Sequence, residues 1–254
     1  MQMLRSVIAA CALALTVTPA MAQERALAFS LTGGVGISPS YFGSDSLSVG
    51  PTGAFGFHGL RFGSLNAGDP DSTAILPRGT GVAGAFRYVG KREGRNELAG
   101  FEDVSRSVEL GLRLHHTAQA WQVYAEARYG VIGHRSAVGE LGANAIFRGQ
   151  SGFVLYAGPR AEYGSSRFMR TYFGVTPAEA AQSGLAAYRP GSGLQSVGVE
   201  LGVYQPISAD WGVTGSVRYD RLQRGAAASP IVRQGSRDQF SARIGLTRHF
   251  NFRF

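Results

Sequence analysis

His134, Ser136 and Glu140 have the side-chain types that hydrolysis by a nucleophile requires, and all three share one parity. On an extended strand they would point to one face. A hydroxyl nucleophile needs a base within hydrogen-bond reach and an acid that orients the base. The spacing argues against that chemistry. The acid follows too closely, and Gly133 and Arg135 around His134 mark a turn, where polar residues gather for conformational reasons. His115-His116 lacks a third ligand at suitable spacing for a metal and reads as a strand-end turn. Gly33-Gly34-Val35-Gly36 is not followed by the helical pattern of a phosphate cradle. We therefore expect no catalytic residue, metal site or cofactor.

The elements carrying these residues alternate with period two. At the carboxy terminus Phe240, Ala242, Ile244, Leu246, Phe250, Phe252 and Phe254 share one parity, broken only by Arg248. Trp121, Val123, Ala125, Ala127, Tyr129 and Val131 oppose Gln122, Tyr124, Glu126, Arg128 and Gly130. Similar dyads recur along the chain, many around ten residues long, the length of a tilted membrane strand. Weaker candidates are 47–57, 59–65 and 166–173. The reading is an all-β fold, a closed antiparallel transmembrane barrel of about twelve strands. Phe250, Phe252 and Phe254 would close it. Trp121, Trp211, Tyr88, Tyr129, Tyr163 and Tyr219, near strand ends on the apolar face, would form interfacial girdles. The opposite parity carries Arg87, Arg113, Arg128, Arg160, Arg218, Arg243 and Arg253 with Glu109, Glu126, Glu162, Glu200 and Asp220, all expected to face the lumen. Acids and bases interspersed on the same strands favour a filled or narrow interior over an anion-selective ring.

The amino terminus supplies the compartment. Arg5, an apolar run from Val7 to Leu15 and Ala20-Met21-Ala22 form a signal peptide, 1–22, cleaved between Ala22 and Gln23, which leaves 23–254 as the barrel. It is too short for a membrane helix. The only cysteine, Cys11, leaves with it, so neither disulfide nor thiol chemistry is expected. The net charge of +8 falls to +7 with Arg5. The arginines are spread along strands rather than clustered, which argues against nucleic acid. The anionic neighbours expected instead are outer-membrane lipid, lipopolysaccharide phosphates and peptidoglycan carboxylates, in a Gram-negative outer membrane with both termini in the periplasm. Counting strands back from the last makes 223–237, 174–194, 65–79 and 39–46 external loops, and 206–210, 164–166 and 132–137 periplasmic turns. The 89–102 stretch is too long for that pattern.

One external loop holds a short helix. Thr176 is its N-cap, Pro177 its first residue, Glu179 the capping-box acid and Gly184 the stop. Around it, Tyr172-Phe173-Gly174-Val175-Thr176, Ala180, Ser183-Gly184-Leu185, Tyr188 and Gly193-Leu194 resemble the hallmark segment of the MltA-interacting protein / OmpV family of outer-membrane proteins. Ser38-Pro39-Ser40-Tyr41-Phe42-Gly43-Ser44, Glu109 with Gly111, and Ser229-Pro230-Ile231-Val232 are similar to further family pieces. Gly133-His134-Arg135-Ser136 departs from the acidic glycine-rich turn of relatives. The resemblance implies an outer-membrane barrel, with members that scaffold a lytic murein transglycosylase and a murein synthase; with no convincing catalytic set, a non-enzymatic scaffold is the expected role. It also implies porin-like or adhesin-like roles for some members, and the inward arginines make a narrow channel with mild anion preference the alternative. The lipid A or phospholipid hydrolase reading rests on His134, Ser136 and Glu140.

Overall fold

The computed structural model describes residues 25–71 and 73–254; the signal segment and its cleavage point lie outside the described residues. Eleven antiparallel strands form one sheet: β1 (Ala26–Pro39), β2 (Leu47–Phe62), β3 (Leu65–Gly68), β4 (Gly79–Val89), β5 (Ser107–Thr117), β6 (Trp121–Ile132), β7 (Ala137–Arg148), β8 (Val154–Gly164), β9 (Gly193–Pro206), β10 (Trp211–Leu222) and β11 (Asp238–Arg253). Their spatial order is β3-β2-β1-β11-β10-β9-β8-β7-β6-β5-β4. The first and last long strands pair from Ala26↔Arg253 to Ile37↔Ala242. The ladder needs glycine where backbones close up: a Cβ on Gly111 would stand 1.9 Å from the Ala127 carbonyl oxygen.

The barrel is nearly closed. β2 lies beside β4, and no ladder hydrogen bonds join them among the described residues. The Phe55 ring covers Gly84 across this seam, within 3.0 Å of where a Cβ would sit. The alternation of β6 shows why the wall faces as it does: Trp121, Val123, Tyr129 and Val131 are exposed on the outside, while Gln122, Tyr124, Glu126 and Arg128 are buried inside. An outward apolar band and an inward polar face are the pattern of an outer-membrane-type barrel. Trp121 and Trp211 lie toward the end holding the termini, and Tyr88, Tyr129, Tyr163 and Tyr219 toward the other. Eight residues separate Trp121 from Tyr129 and Trp211 from Tyr219, a rise of about 26 Å along the strand. Arg248, which breaks the apolar parity of β11, lies over the rings of Trp211 and Phe250, at 5.3 and 4.9 Å. It is thus held in the aromatic girdle by cation–π contact. Phe250 and Phe252 join Phe29 in a stacked outer patch, and exposed Phe254 ends the chain.

Several expected elements are corrected. The candidates at 47–57 and 59–65 are one strand, β2, with a register shift opposite Ala28/Phe29. Residues 166–173 are helix α1 (Ser166–Phe173), not a strand: Phe168, Met169, Tyr172 and Phe173 make one helical stripe and are all buried. With no strand there, the side assignments reverse back to 65–79, and the merging of 47–57 with 59–65 returns 39–46 to its expected end. The turn at 132–137 lies at the end opposite the termini, and no turn falls at 164–166, because 165–192 is one long connection at that end. The 65–79 stretch lies at the terminal end, tied there by Arg253–Asp71 (2.6 Å) and by Asn251, whose amide donates to the Pro70 carbonyl at 2.6 Å. The 89–102 stretch then becomes one of five connections, 40–46, 90–106, 133–136, 165–192 and 223–237, sharing the far end.

Candidate functional site

Those five connections fold inward as a cap. α1 carries its apolar stripe into the barrel mouth, where Phe168 and Phe173 are completely buried. Phe42 meets Tyr172 edge-on at 5.0 Å and Phe168 at 5.8 Å. Helix α2 (Pro177–Ser183) follows. The Glu179 amide donates to Thr176 Oγ1, the Thr176 amide donates back to the Glu179 carboxylate at 2.8 Å, and Gly184 takes a left-handed φ of 75°. Val175 and Tyr188 pair across the loop, while Leu185 packs with Leu98, Phe101 and Ile231. Two short helices, α3 (Arg224–Ala227) and α4 (Pro230–Gln234), complete the cap; Ser229 donates to the Phe173 carbonyl at 2.8 Å. The Gly43 amide donates to Gln239 at 2.9 Å. At the cap rim the Tyr41 hydroxyl donates to Glu97 at 3.2 Å, and burial followed by the Glu97 charge pushes this phenol up to about 12.

Beneath the cap the inward side chains form a charge network. Glu109, with no exposed side-chain surface, accepts from Arg87 through both oxygens (2.8 and 2.9 Å), from Arg128 at 2.9 Å, and pairs with His134 at 3.1 Å. Arg87 reaches on to Glu162 at 3.1 Å. Arg128 and Arg113 both bind Glu126. Arg218 spans Glu140 (2.8 Å), Glu162 (3.1 Å) and Asp220 (2.6 Å), and Arg160 and Arg243 share Glu200 at 3.4 and 3.2 Å. Six arginines thus face six carboxylates, each with a partner, so the lumen carries no net charge from these groups. The pairs join strands far apart in sequence and brace the wall from inside. Arg253 sits instead at the terminal rim.

His134 is central to the cap–lumen junction. Its Nδ1 and Ser136 Oγ share a hydrogen bond of 2.7 Å, and its Nε2 faces Glu109. Ser, His and acid therefore stand in relay order, but the acid is Glu109; Glu140 is taken by Tyr124 at 2.5 Å and by Arg218. Reaction geometry further requires room for a reacting atom beside the nucleophile. His134 has no exposed side-chain surface, lies against Phe168 and Tyr172 at 5.2 and 5.8 Å, and lines no part of the interior cavity. Its amide donates to Ser107 Oγ, which in turn bonds the Tyr172 hydroxyl at 3.0 Å. The arrangement locks the β6–β7 turn to α1. His115 and His116 lie within β5, not in a turn, and point to opposite faces: His115 is buried inside, and His116 lies against the outward Trp121 with its ring tilted by 44°.

Sequence reasoning missed Phe168, Met169, Arg92, His58 and His249. The 168/169/172/173 stripe signalled the first two. Arg92 is buried and donates to the Tyr172 carbonyl, and its loop carries no pattern that foretells this. A cavity of about 590 Å³ remains between the wall of β1, β2 and β4 and the network, lined among others by Arg87, Glu162, Arg218, Gln239 and Arg243.

The chain is similar to several known proteins. The MltA-interacting proteins of Escherichia coli (strain K12) and Shigella flexneri are each 24% identical to the chain over 209 residues, covering 80% of this chain and 84% of theirs. Among solved structures, the outer membrane protein OprG from Pseudomonas aeruginosa aligns over 89% of this chain and 97% of its own with TM-score 0.34 and 14% identity. Ail, the attachment invasion locus protein of Yersinia pestis, aligns over 90% and 99% with TM-score 0.29 and 13% identity. Residues 31–250, the span from β1 into the last strand that contains the whole cap and network, match the family model described as MltA-interacting protein MipA, and the chain belongs to that family.

Proposed function

We propose that the protein is a non-enzymatic scaffold of the Gram-negative outer membrane that docks a murein transglycosylase of the MltA type, and with it a murein synthase. The observation that carries this reading is the occupied interior: every inward arginine named above is paired to a carboxylate, and α1 fills the mouth. A barrel whose inside is committed to bracing its own wall has its outer rims left for contact. The relatives' name, MltA-interacting protein, points to the partner. Cleavage of 1–22 after Ala22 would deliver the chain for insertion with both termini in the periplasm.

Charge supports that orientation. The five loops at the cap end hold eleven Lys and Arg against six Asp and Glu, whereas the connections at the terminal end hold Asp69, Asp71 and Asp210 against Arg78. A basic cap suits the phosphates of lipopolysaccharide outside. The terminal rim, with loop 69–78 across it, would face the murein enzymes. The test is pull-down of detergent-solubilised barrel against the organism's own MltA-type transglycosylase. Binding that is lost when 69–78 is replaced by a short Gly-Ser turn supports the reading, and no recovery of a murein enzyme overturns it.

The 590 Å³ cavity favours one second reading, a narrow diffusion channel. Planar-bilayer recordings without conductance steps would dismiss it.

A further inference from the structure

Two histidines outside the cap have nothing to do in the scheme above. His58 on β2 and His249 on β11 point into the barrel near the terminal end, and each is more than nine-tenths buried. His58 Nε2 and His249 Nδ1 are buried without a hydrogen-bond partner. A buried polar atom left unpaired costs about 1–3 kcal/mol, so two on adjacent rings need a reason. Strand β1 lies between them: Ser30 is the cross-strand partner of His249 on one side and of Gly56 on the other, two residues before His58. Gly56 makes room here for the Ser30 hydroxyl, since a Cβ at 56 would stand 2.6 Å from Ser30 Oγ and 3.7 Å from His58 Nε2.

From this geometry we propose that His58 and His249 bind a divalent transition-metal ion of the imidazole-preferring class, represented by Zn²⁺. The ring centroids are 5.2 Å apart with planes at 49°. Two imidazoles on one tetrahedral ion, with Zn–N of about 2.0–2.1 Å, hold their centroids about 5 Å apart. The second shell fits as well. His249 Nε2 lies 2.9 Å from the Tyr204 hydroxyl. A metal-bound histidine donates its other ring N–H to a neighbouring oxygen, and that tautomer frees Nδ1 to ligate. The described residues include no group of three or more His, Cys, Asp or Glu that could hold a metal. Water, with the Ser30 hydroxyl beside it, therefore completes the coordination, and the site stays open to exchange rather than closed like a structural zinc site. Asp69 and Pro70, which follow β3, lie beside it: the Asp69 amide donates to the His58 carbonyl at 2.9 Å, and Pro70 lies against Gly59. A bound ion would therefore bear on the same rim that the scaffold reading presents to partners, although the metal site does not depend on that reading.

The test is calorimetric titration of ZnCl₂ into the tag-free, refolded full chain in a non-coordinating detergent. One ion per chain is expected, with affinity falling at least tenfold in His58→Asn and in His249→Asn. Tyr204→Phe keeps both ligands and should weaken binding about tenfold. His115→Asn is the control and should leave it unchanged. Refolding of each variant is checked by its heat-dependent shift in gel mobility. No saturable binding to the wild type, or equal binding by the folded His58→Asn and His249→Asn variants, overturns the proposal and leaves the two nitrogens to a bridging water.

Discussion

Glu109→Gln tests whether the lumen is a charge-balanced brace. The substitution preserves shape but removes one of six carboxylates, so the network gains a net positive charge. Glu109 is wholly buried and takes four contacts: two from Arg87, one each from Arg128 and His134. An amide offers one acceptor oxygen in place of two and turns N–H donors toward a guanidinium, which has only donors. Breaking a buried ion pair from one side costs about 3–5 kcal/mol. Arg87 keeps Glu162 and Arg128 keeps Glu126, which places the expected loss near the bottom of that range, about 3 kcal/mol. With guanidinium slopes of about 2–6 kcal/mol/M, the unfolding midpoint should fall by about 0.5–1.5 M. Trp121 and Trp211, both on the outer wall, report the transition by fluorescence in micelles. Adding Arg128→Met removes one cation and restores the network's charge balance, so the double variant should be less destabilised than the sum of the singles by about 1–3 kcal/mol. The exposed loop pair offers the contrast: Glu93→Gln should not move the midpoint measurably. A shift for Glu109→Gln no larger than for Glu93→Gln, or strict additivity in the double variant, would refute the brace.

Two further outcomes follow from the cap. Phe168→Ala removes a ring with no exposed surface and should cost about 3–5 kcal/mol; combined with Tyr172→Ala it should also raise single-channel conductance above wild type in planar bilayers, and an unchanged conductance in the folded variant would contradict the plug. Tyr41 should titrate late. The unfolded phenol loses its proton near pH 10, whereas the folded one holds it to about 12, so its contribution to stability is present below about pH 10 and lost as pH rises through 12. Tyrosinate absorbance should show one late group fewer in Tyr41→Phe and an earlier midpoint for it in Glu97→Gln, and identical titration curves would refute the assignment.

Much of this was legible because a barrel strand writes both its faces into a period of two. The girdle residues, the inward arginines and the capping box at Thr176–Glu179 all express local geometry. Residues 166–173 were not legible as a helix at first reading. Arg167-Phe168-Met169-Arg170-Thr171-Tyr172 alternates loosely, and only burial of 168, 169, 172 and 173 together selects the 3.6 period. That one segment moved 132–137 and 65–79 to the wrong ends, since side assignment depends on strand parity. Pairings such as His134 with Glu109, Arg87 with Glu162 and His58 with His249 depend on register and curvature across the barrel, which no single strand encodes.

The family pieces, scattered through the sequence, meet at one place. Phe42 and Gly43 from the first loop, Tyr172 and Phe173 from the central segment, and Ile231 and Val232 from the last loop are all packed in or against the cap. Glu109 stands directly below, reached through His134. In this chain those segments are thus the closure device, and packing constrains their residues whatever touches the outside. On the scaffold reading proposed above, partner choice would reside in side chains those segments leave free, on the basic loops of the cap end and on loop 69–78 at the other. Exchanging loop 69–78 between two members with different partners should carry the binding preference with it, while exchanging 172–185 should change stability and leave the preference alone. A preference that travelled with 172–185 would mean that the cap itself is the recognition surface.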